Sequence, residues 1–187
     1  MLNSTNLRSG TVFLDNNDPY KVLNYEHIKM ARGGAVVKVK SQNMLSGVIK
    51  DISFSNNDKV EEADIENRNM QFLYADDEDS HFMDETDYSQ YEIPVSQIEN
   101  QLPYLVEGRN FQVTFFEGKP IAVILPLSLF LEVKSAPDAE RGNTTNNATK
   151  RITLENGLVV DAPLFIKVGD VVKINTESGS YVSRGKS

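Results

Sequence analysis

The sequence contains no cysteine among its 187 residues and only two histidines, His27 and His81. Without cysteine the chain can form no disulfide, no thiolate zinc site, no iron–sulfur cluster and no cysteine nucleophile. Two histidines are too few for a histidine-rich metal site, so we expect no metal and no other cofactor. The lack of cysteine also fits a reducing compartment.

Long apolar runs are absent as well. No stretch approaches the ~18 apolar residues that a membrane-spanning helix needs. The first six residues, Met1–Asn6, lack the basic and apolar regions of a signal peptide. The sequence therefore predicts a cytoplasmic protein with no membrane partner.

Motifs of nucleophilic catalysis and of nucleotide binding are missing too. The chain has neither a Gly-x-Ser-x-Gly nor a Gly-x-Gly-x-x-Gly motif. Its densest carboxylate run, Asp76–Asp79, would place His81 and Asp87 where a calcium loop needs Gly and Glu. We interpret this run as a solvated hairpin turn and expect that the protein is not an enzyme.

Negative charge is concentrated in the middle of the chain, whose net charge is −8. Residues 1–50 carry seven Lys/Arg against three Asp/Glu, residues 51–110 three against sixteen, and residues 111–187 nine against eight. The ends could contact a polyanion that the middle would repel. The alternative interpretation is an acidic face that only aids solubility.

Short runs rich in Val, Ile, Phe and Tyr alternate with turn signals, a pattern typical of small barrels or sandwiches. We predict an all-β fold with strands at 11–14, 21–25, 35–40, 47–54, 70–74, 81–83, 111–116, 121–125, 130–133, 151–154, 159–162, 171–175 and 181–184. Between Pro94 and Gly108 the apolar residues recur at helical steps, which predicts one short helix, broken near Pro103.

Changes in composition divide the chain into three units: residues 1–63, 64–127 and 128–187. Domains of about 60 residues bury only ~60% of their unfolded surface and are marginal alone. We therefore expect neighbouring units to pack against each other in an elongated, semi-rigid body.

The segment His27–Lys40 stands out as a strand, a short loop with two glycines, and a second strand. Arg32 lies where the hairpin would turn, before Gly33 and Gly34, and Lys29, Lys38 and Lys40 add positive charge. A guanidinium at a hairpin tip can contact phosphates or stack on bases. By itself the pattern also fits an ordinary solvated hairpin.

With these residues in view, the whole chain resembles the bacterial translation elongation factor P family. The similarity covers the chain from end to end and is carried by the hairpin, by the end of the first unit, by the start of the second and, most specifically, by the C-terminal region. The matching segments are Lys29–Lys40 with Asn43–Gly47, Lys59–Ala63, Leu73-Tyr74 with Phe82–Asp84 and Tyr88–Gln90, and Gly157, Ala162-Pro163, Gly169–Thr176 and Ser178–Tyr181.

The resemblance implies three β-barrels in an L shape like that of a tRNA. An SH3-like (KOW-like) barrel would span residues 1–63, a central OB fold 64–127 and a C-terminal OB fold 128–187. It implies a monomer that binds the 70S ribosome, through rRNA and ribosomal proteins, between the peptidyl and exit sites. There it would relieve stalling at consecutive prolines by positioning the peptidyl-tRNA.

The resemblance also implies roles for particular residues. Arg32 takes the tip position, which is often modified in the family. Arginine there suggests rhamnosylation by a dedicated transferase, although Met30-Ala31 stands where Pro-Gly is common. The implied tip and peptidyl-tRNA contacts are Lys29, Ala31, Arg32, Gly33 and Gly34; further RNA contacts are Lys38, Lys40, Tyr181 and Arg184; contacts to the exit-site codon of the mRNA are Gly142, Asn143 and Thr144.

Three alternatives remain open at this point. A paralogue of the same family could bind the ribosome but act on other stalls. A free single-stranded nucleic-acid-binding OB protein would need aromatic residues within a basic groove, which the acidic middle of the chain disfavours. The third alternative, an enzyme, is disfavoured by the missing motifs. Separately, the residue Tyr181 could close the barrel rather than contact RNA.

Overall fold

The computed structural model describes residues 1–30, 34–55, 57–137 and 148–185. Sixteen strands in these residues form three antiparallel sheets. The strands are β1 (Leu2–Asn3), β2 (Val12–Asp15), β3 (Asp18–Met30), β4 (Gly34–Asn43), β5 (Ile49–Ser55), β6 (Lys59–Glu62), β7 (Ile65–Ala75), β8 (Asp79–Asp84), β9 (Gln90–Pro94), β10 (Asn110–Phe116), β11 (Lys119–Ile124), β12 (Ser128–Ser135), β13 (Thr149–Leu154), β14 (Val159–Pro163), β15 (Val171–Asn175) and β16 (Tyr181–Arg184).

Each sheet is built from strands that are close in sequence. The first has the order β1-β6-β2-β3-β4-β5, the second β11-β10-β7-β8-β9, and the third β14-β13-β12-β15-β16. The edge strands β9 and β11 of the second sheet contact each other, as do β14 and β16 of the third, so both sheets curl towards closure. The predicted all-β fold of small barrels is confirmed.

Alternation of side chains explains why these segments form strands. In β8 and β12 every second residue is buried, the pattern of a sheet with one face on a core.

The hairpin turns follow from local chemistry as well. Asn16 and Asn17, between β2 and β3, both have positive φ (53° and 69°), as does the pair Glu117-Gly118 between β10 and β11. Asn and Gly tolerate this conformation, which matches the twist of the flanking strands.

Three strands were not predicted: β1, β6 and β9. They are two to five residues long, and β6 buries only Val60, so their sequences carry little alternation. Strand β3 is also much longer than the predicted 21–25 because it pairs with β4 along nearly its whole length, from Tyr20 opposite Asn43 to Met30 opposite Gly34.

The helix predicted between Pro94 and Gly108 is replaced by two single 3-10 turns, Val95–Gln97 and Leu102–Tyr104. The apolar spacing had a different cause: Ile98 and Leu105, which follow the two turns, are both buried in the core. Pro103 does not mark a break, since it lies in the first positions of the second turn, where an amide hydrogen has no partner within the turn.

The buried residues form three clusters. One lies inside the first sheet around Phe13, Val37 and Val39. A second, small one joins the first barrel to the second and contains Val12, Ala63, Phe116 and Ile121. The largest is continuous through the second and third barrels, from Phe82 to Leu131 and beyond. The last two barrels therefore share one core.

Truncation of a side chain in the shared core should be costly. We expect Leu131→Ala to lower the free energy of unfolding by ~2–5 kcal/mol, because Leu131 is 0% exposed and its removal leaves a cavity. The matched control is Leu127→Ala, four residues earlier and 80% exposed, which should change stability by less than about 0.5 kcal/mol. Urea unfolding measures both, and equal midpoints for the two variants would contradict the shared core.

Candidate functional site

The hairpin of β3 and β4 extends past both of its neighbours in the first sheet. Strand β2 pairs with β3 only as far as Lys21, and β5 pairs with β4 only as far as Val36. Beyond Val36, β3 and β4 continue alone for two more pairs, which end at Met30 opposite Gly34. At ~3.3 Å per residue this adds about 7 Å of free hairpin before the connecting loop.

Of the predicted tip residues, Lys29 and Gly34 lie in these last two pairs, Lys29 opposite Ala35 and Gly34 opposite Met30. Ala31, Arg32 and Gly33, which connect the strands, lie outside the residues that the structure describes. The two strands that the sequence predicts on either side of this loop are confirmed.

Lys38 and Lys40 lie on the exposed face of β4, whereas Val37 and Val39 between them are buried. Each lysine has a carboxylate among its cross-strand neighbours: Lys38 stands opposite Glu26, and Lys40 opposite Asp51. Opposite charges at such positions attract each other. The two lysines are accessible to a partner, but their positive charge is partly balanced within the sheet.

Two further cations of the first barrel are held in place by the barrel itself. Arg8 lies over the Tyr25 ring, 4.9 Å from its centroid, and donates to the carbonyls of Leu7 and Thr5. Lys50 Nζ lies 2.6 Å from Asp15 Oδ2, and this hydrogen bond raises the pKa of Lys50. Neither was predicted as a site residue, and both stabilise the base of the hairpin.

In the third barrel the predicted contact residues have partners within the barrel. Arg184 Nη2 lies 2.6 Å from Asp170 Oδ1, and the Asp170 side chain is only 11% exposed. Tyr181 is partly buried and packs against the shared core, in agreement with its interpretation as a barrel-closing residue. Gly142, Asn143 and Thr144 lie outside the described residues.

The acidic run at the start of β8 forms the tight turn that the sequence predicts. Asp76 Oδ1 accepts the backbone N–H groups of Asp79, at 2.8 Å, and Glu78, at 2.9 Å, while Asp76 Oδ2 lies 3.0 Å from His81 Nε2. These contacts, the Asp79 amide first, then His81 and the Glu78 amide, lower the pKa of Asp76 to about 2. The His81 ring in turn stacks on Tyr74, with 4.3 Å between centroids.

In the described part of the chain, no cluster of three or more His, Asp or Glu side chains is arranged to hold a metal ion. None of the described segments is a helix long and apolar enough to cross a membrane.

Comparison with known proteins accounts for all three barrels. Residues 3–60 match the family model for the elongation factor P KOW-like domain, residues 65–123 that for the elongation factor P OB domain, and residues 130–184 that for the elongation factor P C-terminal domain. The chain belongs to the elongation factor P family. The resemblance inferred from the sequence is thereby confirmed, and the protein is a translation elongation factor.

Individual relatives agree with this family. The chain is 39% identical over 184 residues to elongation factor P of Oleidesulfovibrio alaskensis, covering 98% of this chain and all of the relative. It is 41% identical over 186 residues to that of Mycoplasmopsis synoviae, covering both completely. Among solved structures, a eukaryotic translation initiation factor 5A from Methanococcus jannaschii superimposes with a TM-score of 0.51 at 24% identity, covering 66% of this chain and 94% of that one. That similarity concerns the fold alone.

The acidic turn generates a prediction about pH. Because the Asp76 pKa is lower in the folded protein than the ~3.9 of an unfolded chain, the ionised carboxylate stabilises the fold above about pH 4. That contribution is lost as the pH falls through about 2. We expect Asp76→Asn, which keeps an acceptor oxygen but cannot titrate in this range, to lose less stability between pH 4 and pH 2 than the unsubstituted protein.

Urea midpoints at the two pH values measure this difference, with Asp77→Asn in the same turn as the control. Carbon NMR of the Asp76 carboxyl group gives the midpoint directly. A midpoint near 3.9 would show that the turn does not hold the carboxylate in its ionised form.

Proposed function

We propose that the protein binds the bacterial 70S ribosome between the peptidyl and exit sites and stimulates peptide-bond formation at consecutive prolines. Its hairpin β3–β4 would reach the acceptor end of the peptidyl-tRNA. The observation that carries the proposal is the extension of this hairpin beyond both neighbouring strands, in a chain that belongs to the elongation factor P family.

The base of the hairpin is suited to hold a tip in a fixed place. Val22, Val37 and Val39 anchor β3 and β4 in the core of the first barrel. Arg8 adds to this base through its contact with Tyr25 of β3. A tip mounted on a packed base loses little conformational freedom when it meets its target, and such preorganisation favours binding.

The proposed mechanism needs no side chain that makes or breaks a bond. Proline is a poor nucleophile because its nitrogen lies in a constrained ring, so reaction depends strongly on how the two substrates are oriented. A protein that holds the peptidyl-tRNA in a near-attack geometry lowers the barrier by reducing misorientation. Arg32 would supply a cation at the tip, either bare or carrying a sugar added by a rhamnosyltransferase.

The charge distribution supports an orientation on the ribosome. Residues 51–110, which include most of the second barrel, carry sixteen Asp/Glu against three Lys/Arg. Phosphate-rich RNA would repel this part of the chain, whereas residues 1–50, which make up most of the first barrel, carry seven Lys/Arg against three Asp/Glu. We propose that the acidic second barrel faces away from rRNA or towards basic ribosomal proteins.

The remaining parts of the proposal concern organisation and partners. The functional units would be residues 1–63, 64–127 and 128–187, acting together as a cytoplasmic monomer with the L shape of a tRNA. Gly142, Asn143 and Thr144 would approach the exit-site codon of the mRNA. Tyr181 and Arg184 would present the third barrel to the small subunit and the tRNA, Arg184 from its position against Asp170.

A reconstituted translation system tests the function. We expect the protein, purified from its own source, to restore full-length product from a reporter with three consecutive prolines and to leave a matched reporter without them unchanged. Arg32→Ala should lower the rescue rate by about tenfold or more, since hydrogen bonds to charged groups are worth ~1.5–3 kcal/mol. The control is Arg151→Ala, a third-barrel arginine whose side chain is 83% exposed, which should rescue normally.

Other outcomes separate the alternatives. Ribosome co-sedimentation without rescue would favour a paralogue that acts on other stalls. The absence of both binding and rescue would overturn the functional proposal.

A further inference from the structure

Arg109 joins the second barrel to the third through both arms of its guanidinium. Its Nη1 donates to the carbonyl of Phe130 at 2.6 Å, and its Nη2 lies 2.6 Å from Glu155 Oε1. Phe130 belongs to β12 and Glu155 follows β13, so both acceptors are in the third barrel. A planar fork that contacts two separate acceptors restricts orientation as well as distance.

Each end of this contact is fixed to its own barrel. The backbone of Arg109 accepts from Phe72 N at 2.9 Å and donates to Val106 O at 3.1 Å, both in the second barrel. Glu155 Oε1 also accepts from the N–H of Glu132 at 3.1 Å, and Glu155 N donates to Glu132 O at 2.9 Å. The Glu155 side chain is only 20% exposed. The bridge therefore connects a carboxylate held by the backbone of its own barrel to a guanidinium that extends from an anchored backbone and is 40% exposed.

Other contacts across the same junction involve the 3-10 turn Leu102–Tyr104. Asn156 Nδ2 donates to the carbonyl of Pro103 at 2.8 Å. At Gly179, in the turn before β16, an added Cβ would stand 3.0 Å from the Tyr104 hydroxyl. The 3-10 turn Leu102–Tyr104 of the second barrel is thus contacted by two loops of the third. Together with the continuous core, these contacts oppose rotation about the Arg109 bridge.

The junction between the first and second barrels is built differently. It has a small buried cluster beside an open cleft of about 440 Å³. Gln97 Nε2 reaches across to Met44 O only at 3.5 Å, whereas its 2.7 Å bond to Ile121 O stays within the second barrel. Within residues 1–30, 34–55, 57–137 and 148–185, one ion pair joins two barrels, and it is the pair of Arg109 with Glu155. No ion pair in these residues joins the first barrel to the second.

We propose that Arg109 is a positioning residue, which fixes the third barrel relative to the second so that both ends of the molecule can engage the ribosome at once. The inference rests on the proposed function, because the orientation matters only if the first and third barrels bind the same target. An orientation set before binding lowers the entropy cost of the second contact. Loss of the bridge should therefore weaken binding without changing what the bound protein does.

The absence of cysteine makes the orientation directly measurable. Spin labels on Asp77→Cys in the second barrel and Lys167→Cys in the third, both exposed positions, report one interbarrel distance without competing thiols. We expect a narrow distance distribution that broadens in Arg109→Ala. It should broaden less in Arg109→Lys, whose single ammonium cannot fork between two acceptors. Arg151→Ala, a surface arginine of the third barrel, should leave the distribution unchanged.

The functional readout is the rescue titration on the three-proline reporter. In Arg109→Ala the concentration for half-maximal rescue should rise roughly fivefold if the competent orientation falls to about a fifth of the population. The maximal rescue rate should stay the same, because Arg109 lies on another barrel from the tip. For Arg109→Lys the concentration for half-maximal rescue should lie between those of the unsubstituted protein and Arg109→Ala. A variant that acted only by losing folded protein would raise the same concentration, so the expected result includes a urea midpoint equal to that of the unsubstituted protein, and a reduced midpoint would overturn the positioning role.

Several results would overturn the proposal. One is a distance distribution that stays narrow in Arg109→Ala, and another is a broadened distribution with unchanged rescue. If the unsubstituted protein rescues no reporter, the proposed function fails on its own. Ribosome co-sedimentation then replaces rescue as the readout, and equal affinities for the unsubstituted protein and Arg109→Ala would overturn the positioning role.

Discussion

The continuous apolar core of the second and third barrels is the constraint on which the rest of the molecule depends. Domains of about 60 residues bury too little surface to be robust alone, and this chain solves the problem by sharing one core between two of them. Polar contacts then add to the edge of this interface, where the Arg109 side chain is 40% exposed and the Glu155 side chain 20% exposed. A charged fork that contacts two acceptors at such an edge restricts orientation more than a single ion pair on an open surface does.

The first barrel follows a different plan. It has a core of its own, around Phe13 and the valines of β3 and β4, and meets the second barrel through a small cluster. Its longest hairpin is pinned at the base and free at the end. The molecule thus combines a two-barrel body with a separately packed module that carries the candidate tip, an arrangement that suits the proposed function.

Much of this architecture could be predicted from the sequence, because strand periodicity is a local signal. The alternation Val37, Lys38, Val39, Lys40 determines both the strand and its exposed face. Short or polar strands such as β6 carry no such signal, and the segment from Pro94 to Gly108 showed that buried residues at helical spacing can each follow a single 3-10 turn.

The site was predicted less completely than the fold because contacts between residues far apart in the chain leave no local signal in the sequence. Arg109 and Glu155 are 46 residues apart, and nothing in either neighbourhood indicates that they meet. Arg184 was predicted as an RNA contact because the family resemblance implies it, and only the structure reveals its pairing with Asp170. The family resemblance, by contrast, depends on motifs that are visible without any contact.

The division of the core also affects the order in which a growing chain can fold. All strands of the first sheet lie within residues 2–62, so its core can close early, with short loops and a small entropy cost. The core shared by the second and third barrels is complete only when Ile152, Leu154 and Ile174 have been synthesised. We expect part of this core to be exposed during that interval, and the thirteen acidic residues within residues 64–127 to keep such an intermediate in solution through mutual repulsion.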